Sequence, residues 1–249
     1  MNRVKKAVMA AVAALGFSAS AAAVPTPVDL ELSLVIDISG SISGAEYDLQ
    51  MDGYADAFRQ QSVIDDIVAS ANGIAVNAVF FASSASEEIT FQHLQTETEV
   101  LDFADLLDAF ARPFSGGTNV AAGMQAALDS ILNNDFDGAS QIIDVSGDGS
   151  GGTGTSSEAV RDDALAQGVD AINAIAIQSQ SLQTIFENSV IGGTGSFALF
   201  ASSFDEFRTA ISRKIELEVD QGTNPMPIPG SMLLLLAGLV GLGVLRHRL

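Results

Sequence analysis

Five side chains in three separated stretches have the types and spacing to hold a hard metal ion. They are Asp37, Ser39 and Ser41 in Asp-Ile-Ser-Gly-Ser, Thr118 in Ser-Gly-Gly-Thr-Asn, and Asp148 in Val-Ser-Gly-Asp-Gly. Mg²⁺ and similar cations take oxygen ligands, and two carboxylates with three hydroxyls on glycine-flanked loops supply oxygens with little bulk. The first and third stretches follow short apolar runs at residues 32–36 and 142–145, which read as buried parallel strands. Their ends then meet at one rim, forming a metal site open to a partner.

The elements that must position these residues alternate along the chain. Apolar runs and their spacing predict strands at 30–37, 74–82, 88–93, 141–146, 171–177 and 197–201. Helices are expected at 45–61, 98–110, 157–167, 182–189 and 204–219, with a further one capped by Asn119 and running to about Leu132. The link between the second and third strands is a short Ser-Ser-Ala-Ser, so these two form an antiparallel hairpin at the sheet edge. Strand alternating with helix means an α/β fold: a doubly wound, mostly parallel central sheet, helices on both faces, one antiparallel edge strand. Ligands of such sheets bind at the carboxyl ends of strands, where the strand order reverses. Residues 147–155, Gly-Asp-Gly-Ser-Gly-Gly-Thr-Gly-Thr, read as a surface loop beside the metal.

Asp-x-Ser-x-Ser after a first strand, a threonine after a Gly-Gly turn, and Asp-Gly closing a central strand together resemble the metal-ion-dependent adhesion site of von Willebrand factor type A domains. The resemblance spans roughly residues 29–220. Asp-Ile-Ser-Gly-Ser with the later Ile-Asp-Val-Ser-Gly-Asp-Gly is most similar to a bacterial subfamily of unknown function. It implies that Ser39, Ser41 and Thr118 supply hydroxyl ligands while Asp37 and Asp148 supply charge and orientation, often through bridging water. The cation implied is Mg²⁺ first, with Mn²⁺ or Ca²⁺ as alternatives. An Asp or Glu carboxylate of a protein or matrix partner would complete its coordination. The competing reading is that Asp-x-Ser-x-Ser only caps the first helix, through Ser43.

The ends of the chain differ from its middle. Residues 1–23 carry Arg3, Lys5 and Lys6, an apolar stretch at 7–17, and Ser-Ala-Ser-Ala-Ala-Ala. That is a secretory signal peptide with cleavage expected after Ala23, an uncleaved anchor being the alternative. Residues 24–221 form one domain. At residues 222–249 a proline-rich linker leads to fourteen apolar residues from Met232 to Leu245 and then Arg-His-Arg-Leu. This resembles the PEP-CTERM sorting tails of Gram-negative bacteria in their Val-Pro-Leu-Pro-Ala variant, here written Met226-Pro227-Ile228-Pro229-Gly230. It implies brief inner-membrane anchoring, removal by an exosortase-type protease, and delivery to the cell surface or extracellular matrix. A permanent single-span anchor is the alternative, although the apolar stretch is short for one.

Five of the 11 basic residues lie in these terminal segments, leaving six against 31 acidic ones and a formal charge of −25 on the domain. Such a surface repels nucleic acid and anionic lipid, so membrane contact falls to the tail alone. The chain has no cysteine, so no disulfide can form in an oxidising compartment. Asp144 interrupts an apolar strand; unpaired, it would be costly there, so it is expected near the loop end, bonded to hydroxyls or amides, and outside the ligand set. Residues 133–138, Asn-Asn-Asp-Phe-Asp-Gly, read as a turn rather than a calcium loop. Gly-x-Ser-x-Gly, phosphate-loop and dinucleotide signatures are missing, and of the two histidines His247 lies in the tail and His93 ends the hairpin. The expectation is a binding protein and not an enzyme. A structural matrix component with a stabilising metal is the first alternative, and a metal-dependent hydrolase the second.

Overall fold

The computed structural model describes residues 24–151 and 156–224. The expected signal peptide lies outside the described residues, as does the expected tail segment from residue 225 on; Gly222 and Thr223, expected to begin that segment, belong to the last helix. Seven strands and seven helices are arranged as β1 (Thr26–Asp37), α1 (Gly44–Phe58), α2 (Gln61–Ala69), β2 (Ile74–Phe81), β3 (Ala85–Leu94), α3 (Glu97–Asp108), α4 (Val120–Leu132), β4 (Phe136–Gly147), α5 (Ser157–Ala166), β5 (Ala171–Ile177), α6 (Gln180–Ser189), β6 (Gly192–Gly193), β7 (Ala198–Ala201) and α7 (Phe204–Thr223). The sheet runs β3-β2-β1-β4-β5-β6, and β7 also pairs with β5. β1, β2, β4, β5 and β7 are parallel, while β3 lies antiparallel on the β2 edge.

The doubly wound sheet with an antiparallel edge strand is therefore observed. A second antiparallel piece, the two-residue β6 on the start of β5, carries no apolar pattern and was not foreseen. The expected helix at 45–61 is in fact two: α1 ends at Phe58, Arg59 is its C-cap, and Gln60 turns extended before α2 begins. β4 starts at Phe136, earlier than expected, because Thr26, Pro27 and Val28 of β1 extend to pair with Phe136, Asp137 and Gly138. The turn expected at 133–138 is therefore only residues 133–135, and Glu31 holds it to the strand by accepting from Asn134 Nδ2 (2.6 Å) and Gly138 N (2.7 Å).

β1 and β2 are buried on both faces, as interior parallel strands must be. On one face Leu30, Leu32, Leu34 and Ile36 pack with α1, α2, α3 and α7. On the other, Val35, Val79, Ile143 and Val145 pack with α4, α5 and α6. α4 comes unusually close to the sheet. A Cβ on Gly123 would stand 2.7 Å from Val35 Cγ1 and 2.8 Å from Phe81 Cδ1. Gly123→Ala is therefore expected to destabilise the fold by about 1–3 kcal/mol in urea titrations, as overpacking does; an unchanged midpoint would show that α4 can move away freely.

Candidate metal site

β1 is central, with β2 on one side and β4 on the other, and the strand order reverses between the parallel β1 and β4. Their register, Ile36 beside Ser146, brings Asp37 against Gly147 at the carboxyl rim. A Cβ on Gly147 would lie 2.9 Å from Asp37 Oδ2. Only glycine leaves this carboxylate room.

Four of the five expected residues form one hydrogen-bonded chain. Ser39 N donates to Asp37 Oδ1 (2.8 Å), the hydroxyls of Ser39 and Ser41 are 3.1 Å apart, and Ser41 Oγ donates to Asp148 Oδ1 (2.8 Å). The chain runs from the fully buried Asp37 and Ser39 to the exposed Ser41. Thr118 approaches from α4's leading loop: a Cβ on Gly149 would be 3.3 Å from its Oγ1, and Val120 N donates to Gly151 O (3.3 Å). Among the described residues no hydrogen bond joins the Thr118 hydroxyl to the other four.

The helix-capping alternative has its own residue. Ser43 caps α1, accepting from Glu46 N, while the Glu46 carboxylate accepts from Ser43 N (2.8 Å), a complete capping box. Ser39 and Ser41 are thus not used as caps. Among the described residues Asp37 Oδ2 is buried with no hydrogen-bond partner. Burial pushes the Asp37 carboxyl up to about 6; hydrogen bonds from Ser39 oppose the rise and the nearby Asp148 charge adds to it. A buried, half-bonded carboxylate beside two hydroxyls has the oxygen chemistry that a hard cation takes. Among the described residues no group of three or more His, Cys, Asp or Glu side chains could hold a metal, so such an ion would depend on the hydroxyls.

Sequence reasoning missed Arg112. Its guanidinium donates to Ile38 O (2.5 Å), Ser39 O (2.7 Å), Ile42 O (2.8 Å) and Ser115 Oγ (3.2 Å). It also lies 5.9 Å from the centre of the Tyr47 ring, whose hydroxyl donates to Phe110 O (2.9 Å). One cation therefore ties the serine loop to the glycine turn before Thr118. The signal available was its isolation: Arg112 is one of only six basic residues between Asp29 and Asp220, and it adjoins a glycine-rich turn. Gln50 Nε2 holds Asp37 O (3.0 Å), and Ser83 Oγ accepts from Gly117 N (2.6 Å). Asp144 departs from its expected setting. It is fully buried and its partner is the Lys214 ammonium of α7, at 2.5 Å, rather than hydroxyls or amides.

A parallel sheet whose switch-point loops carry this hydroxyl and carboxylate cluster is the arrangement expected of the von Willebrand factor type A fold. The chain belongs to the family described as "Protein of unknown function (DUF1194)", which matches residues 27–223. No curated protein matches it. Among solved structures it is similar to proximal thread matrix protein 1 from the mussel byssus, with TM-score 0.60, 20% identity, and coverage of 76% of this chain and 46% of that one. The same mussel protein "with zinc occupied MIDAS motif" aligns at TM-score 0.57 and 16% identity over 79% of this chain and 48% of that one. The pilus adhesin SpaC from Lactobacillus rhamnosus GG aligns at TM-score 0.57 and 12% identity over 77% of this chain and 31% of that one. The chain spans less than half the length of these proteins, and at such identities the likeness shows the fold alone.

Arg112→Met is expected to cost about 1.5–3 kcal/mol, since it leaves three loop carbonyls without their charged donor. Chemical denaturation measures the loss, and amide exchange at residues 38–42 should speed up with it. Unchanged exchange at those amides would show that the loop holds its shape without Arg112.

Proposed function

We propose that this chain is an exported, divalent-metal-dependent adhesion or ligand-binding domain. The observation that carries the reading is the unpartnered, buried Asp37 Oδ2 at the inner end of a hydroxyl chain that opens to solvent through Ser41. Ser39, Ser41 and Thr118 would hold the cation through hydroxyls, with Asp37 and Asp148 providing charge and orientation. Bound there, Mg²⁺, Mn²⁺ or Ca²⁺ supplies a local positive field on a domain of formal charge −25. With few carboxylates to neutralise it, that field suits an Asp or Glu side chain of a protein or matrix partner. A mussel matrix protein with a zinc-occupied site and a pilus adhesin on the same fold support a divalent cation and a binding role.

The reading is non-enzymatic. His93, the one histidine among the described residues, has Nε2 bonded to Asn72 O (2.8 Å) at the amino-terminal side of β2, at the opposite end of the sheet from Asp37. The proposed life history remains the one the sequence suggests. A signal peptide at residues 1–23 is removed, the tail at 222–249 is cut by an exosortase-type protease, and the domain at 24–221 reaches the surface or matrix of a Gram-negative bacterium. The matrix neighbour also favours a second reading, a structural matrix component whose metal only stabilises the fold.

Capture from envelope and matrix extracts, with Mg²⁺ and with EDTA, separates these readings. Capture that needs Mg²⁺, is lost in Asp37→Ala, and leaves the circular dichroism unchanged in EDTA is expected. Partner capture that persists in EDTA would overturn the adhesion reading, and unfolding in EDTA would favour the structural one. An Asp→Asn change at the partner's contact should weaken attachment by about 2–5 kcal/mol.

A further inference from the structure

Behind the rim, the layer between the sheet and helices α1 and α7 encloses a charged triad. Lys214 and Glu218 lie one turn apart on α7, Asp144 lies on β4 beside Leu34 and Asn173, and all three side chains are fully buried. Lys214 Nζ is 2.5 Å from Glu218 Oε1 and 2.5 Å from Asp144 Oδ1. Leu34, Ile211 and Ile215 belong to the apolar cluster on this face, and Tyr54 is fully buried in it. Asn173 Nδ2 donates to Glu218 Oε1 (3.0 Å).

The two contacts of Nζ differ in kind. The one to Glu218 is a hydrogen bond. The one to Asp144 is proximity without hydrogen-bond geometry, and neither Asp144 oxygen accepts a hydrogen bond among the described residues. A carboxyl C–O bond is about 1.23 Å, so Nζ lies at most about 3.7 Å from Asp144 Cγ. Reacting atoms poised for attack stand about 3–3.5 Å apart.

The protonation states also suit condensation. Burial, then the charge of Asp144, push the Glu218 carboxyl up to about 8, against the lowering effect of Lys214. The shift biases Glu218 toward its protonated form. A proton passed from Nζ to Asp144 leaves an amine beside a carboxylic acid, the pair from which an amide forms.

We infer that Lys214 Nζ and Asp144 Cγ condense to an amide, a side-chain cross-link between α7 and β4 formed with Glu218 as the acid–base group. The Nζ lone pair attacks Cγ and the N–C bond forms. Glu218 gives its proton to the departing Asp144 oxygen and takes the proton that nitrogen releases. The C–O bond breaks, one water leaves, and Glu218 ends as it began, with no change of oxidation state. In a chain without cysteine this bond does what a disulfide would, since α7 is the last described helix and the amide would stop it peeling from the sheet. The inference is independent of the metal reading.

Tandem mass spectrometry of the denatured, trypsin-digested full chain tests it. The peptides holding Asp144 and Lys214 are expected joined, lighter by one water (about 18 Da), with cleavage after Lys214 lost. Asp144→Asn should give the same link with loss of ammonia, about 17 Da. Glu218→Gln should give a folded protein whose peptides separate. Separate, full-mass peptides from folded wild-type protein would overturn the cross-link and leave an ion-paired triad. A link that forms equally in Glu218→Gln would overturn the role of Glu218.

Discussion

The pairing of β1 with β4 at the centre of the sheet is the constraint from which the site follows. It sets the Asp37 carboxylate against Gly147, where the missing side chain is the only room available. Two loops that are more than a hundred residues apart in sequence become neighbours, and the Ser41 to Asp148 hydrogen bond joins them. Strand pairing brings the two loops together, and the Arg112 guanidinium then fixes the serine loop through its carbonyls.

Holding a carboxylate there is costly, and the surroundings are built to bear that cost. Ser39 N satisfies one oxygen of Asp37, and nothing among the described residues satisfies the other. Gln50 and Arg112 bind the backbone carbonyls around it rather than the carboxylate. The fixed donors shape the loop while leaving Asp37 Oδ2 uncommitted, as a binding site needs and a purely structural turn does not. The same helix that supplies Gln50 supplies Tyr54, which packs edge-on against Phe207 of α7 at 5.7 Å. α1 therefore spans the distance between the rim and the buried triad.

The parts legible in the sequence were those with local signatures. β5 and the Asn119 cap of α4 fall where apolar runs and cap residues put them. The break between α1 and α2 was not legible, because Arg59 and Gln60 are ordinary helix formers and only packing turns the chain there. β4 was read short because its first residues are polar and become strand only through pairing with the start of β1. The three loop motifs were readable as a set, whereas Arg112 was not: its role consists of contacts to carbonyls some 70 residues earlier. Lys214 reads as a solvated charge on a helix, and its burial depends on Asp144 being 70 residues away in sequence and 2.5 Å away in space.

The most direct measurement is diffraction at the manganese absorption edge from crystals of the domain grown with Mn²⁺. One anomalous peak among the oxygens of Ser39, Ser41 and Thr118, absent in Ser39→Ala crystals, is the result expected. A peak found only elsewhere on the acidic surface, or none at saturating Mn²⁺, would contradict the metal-dependent account.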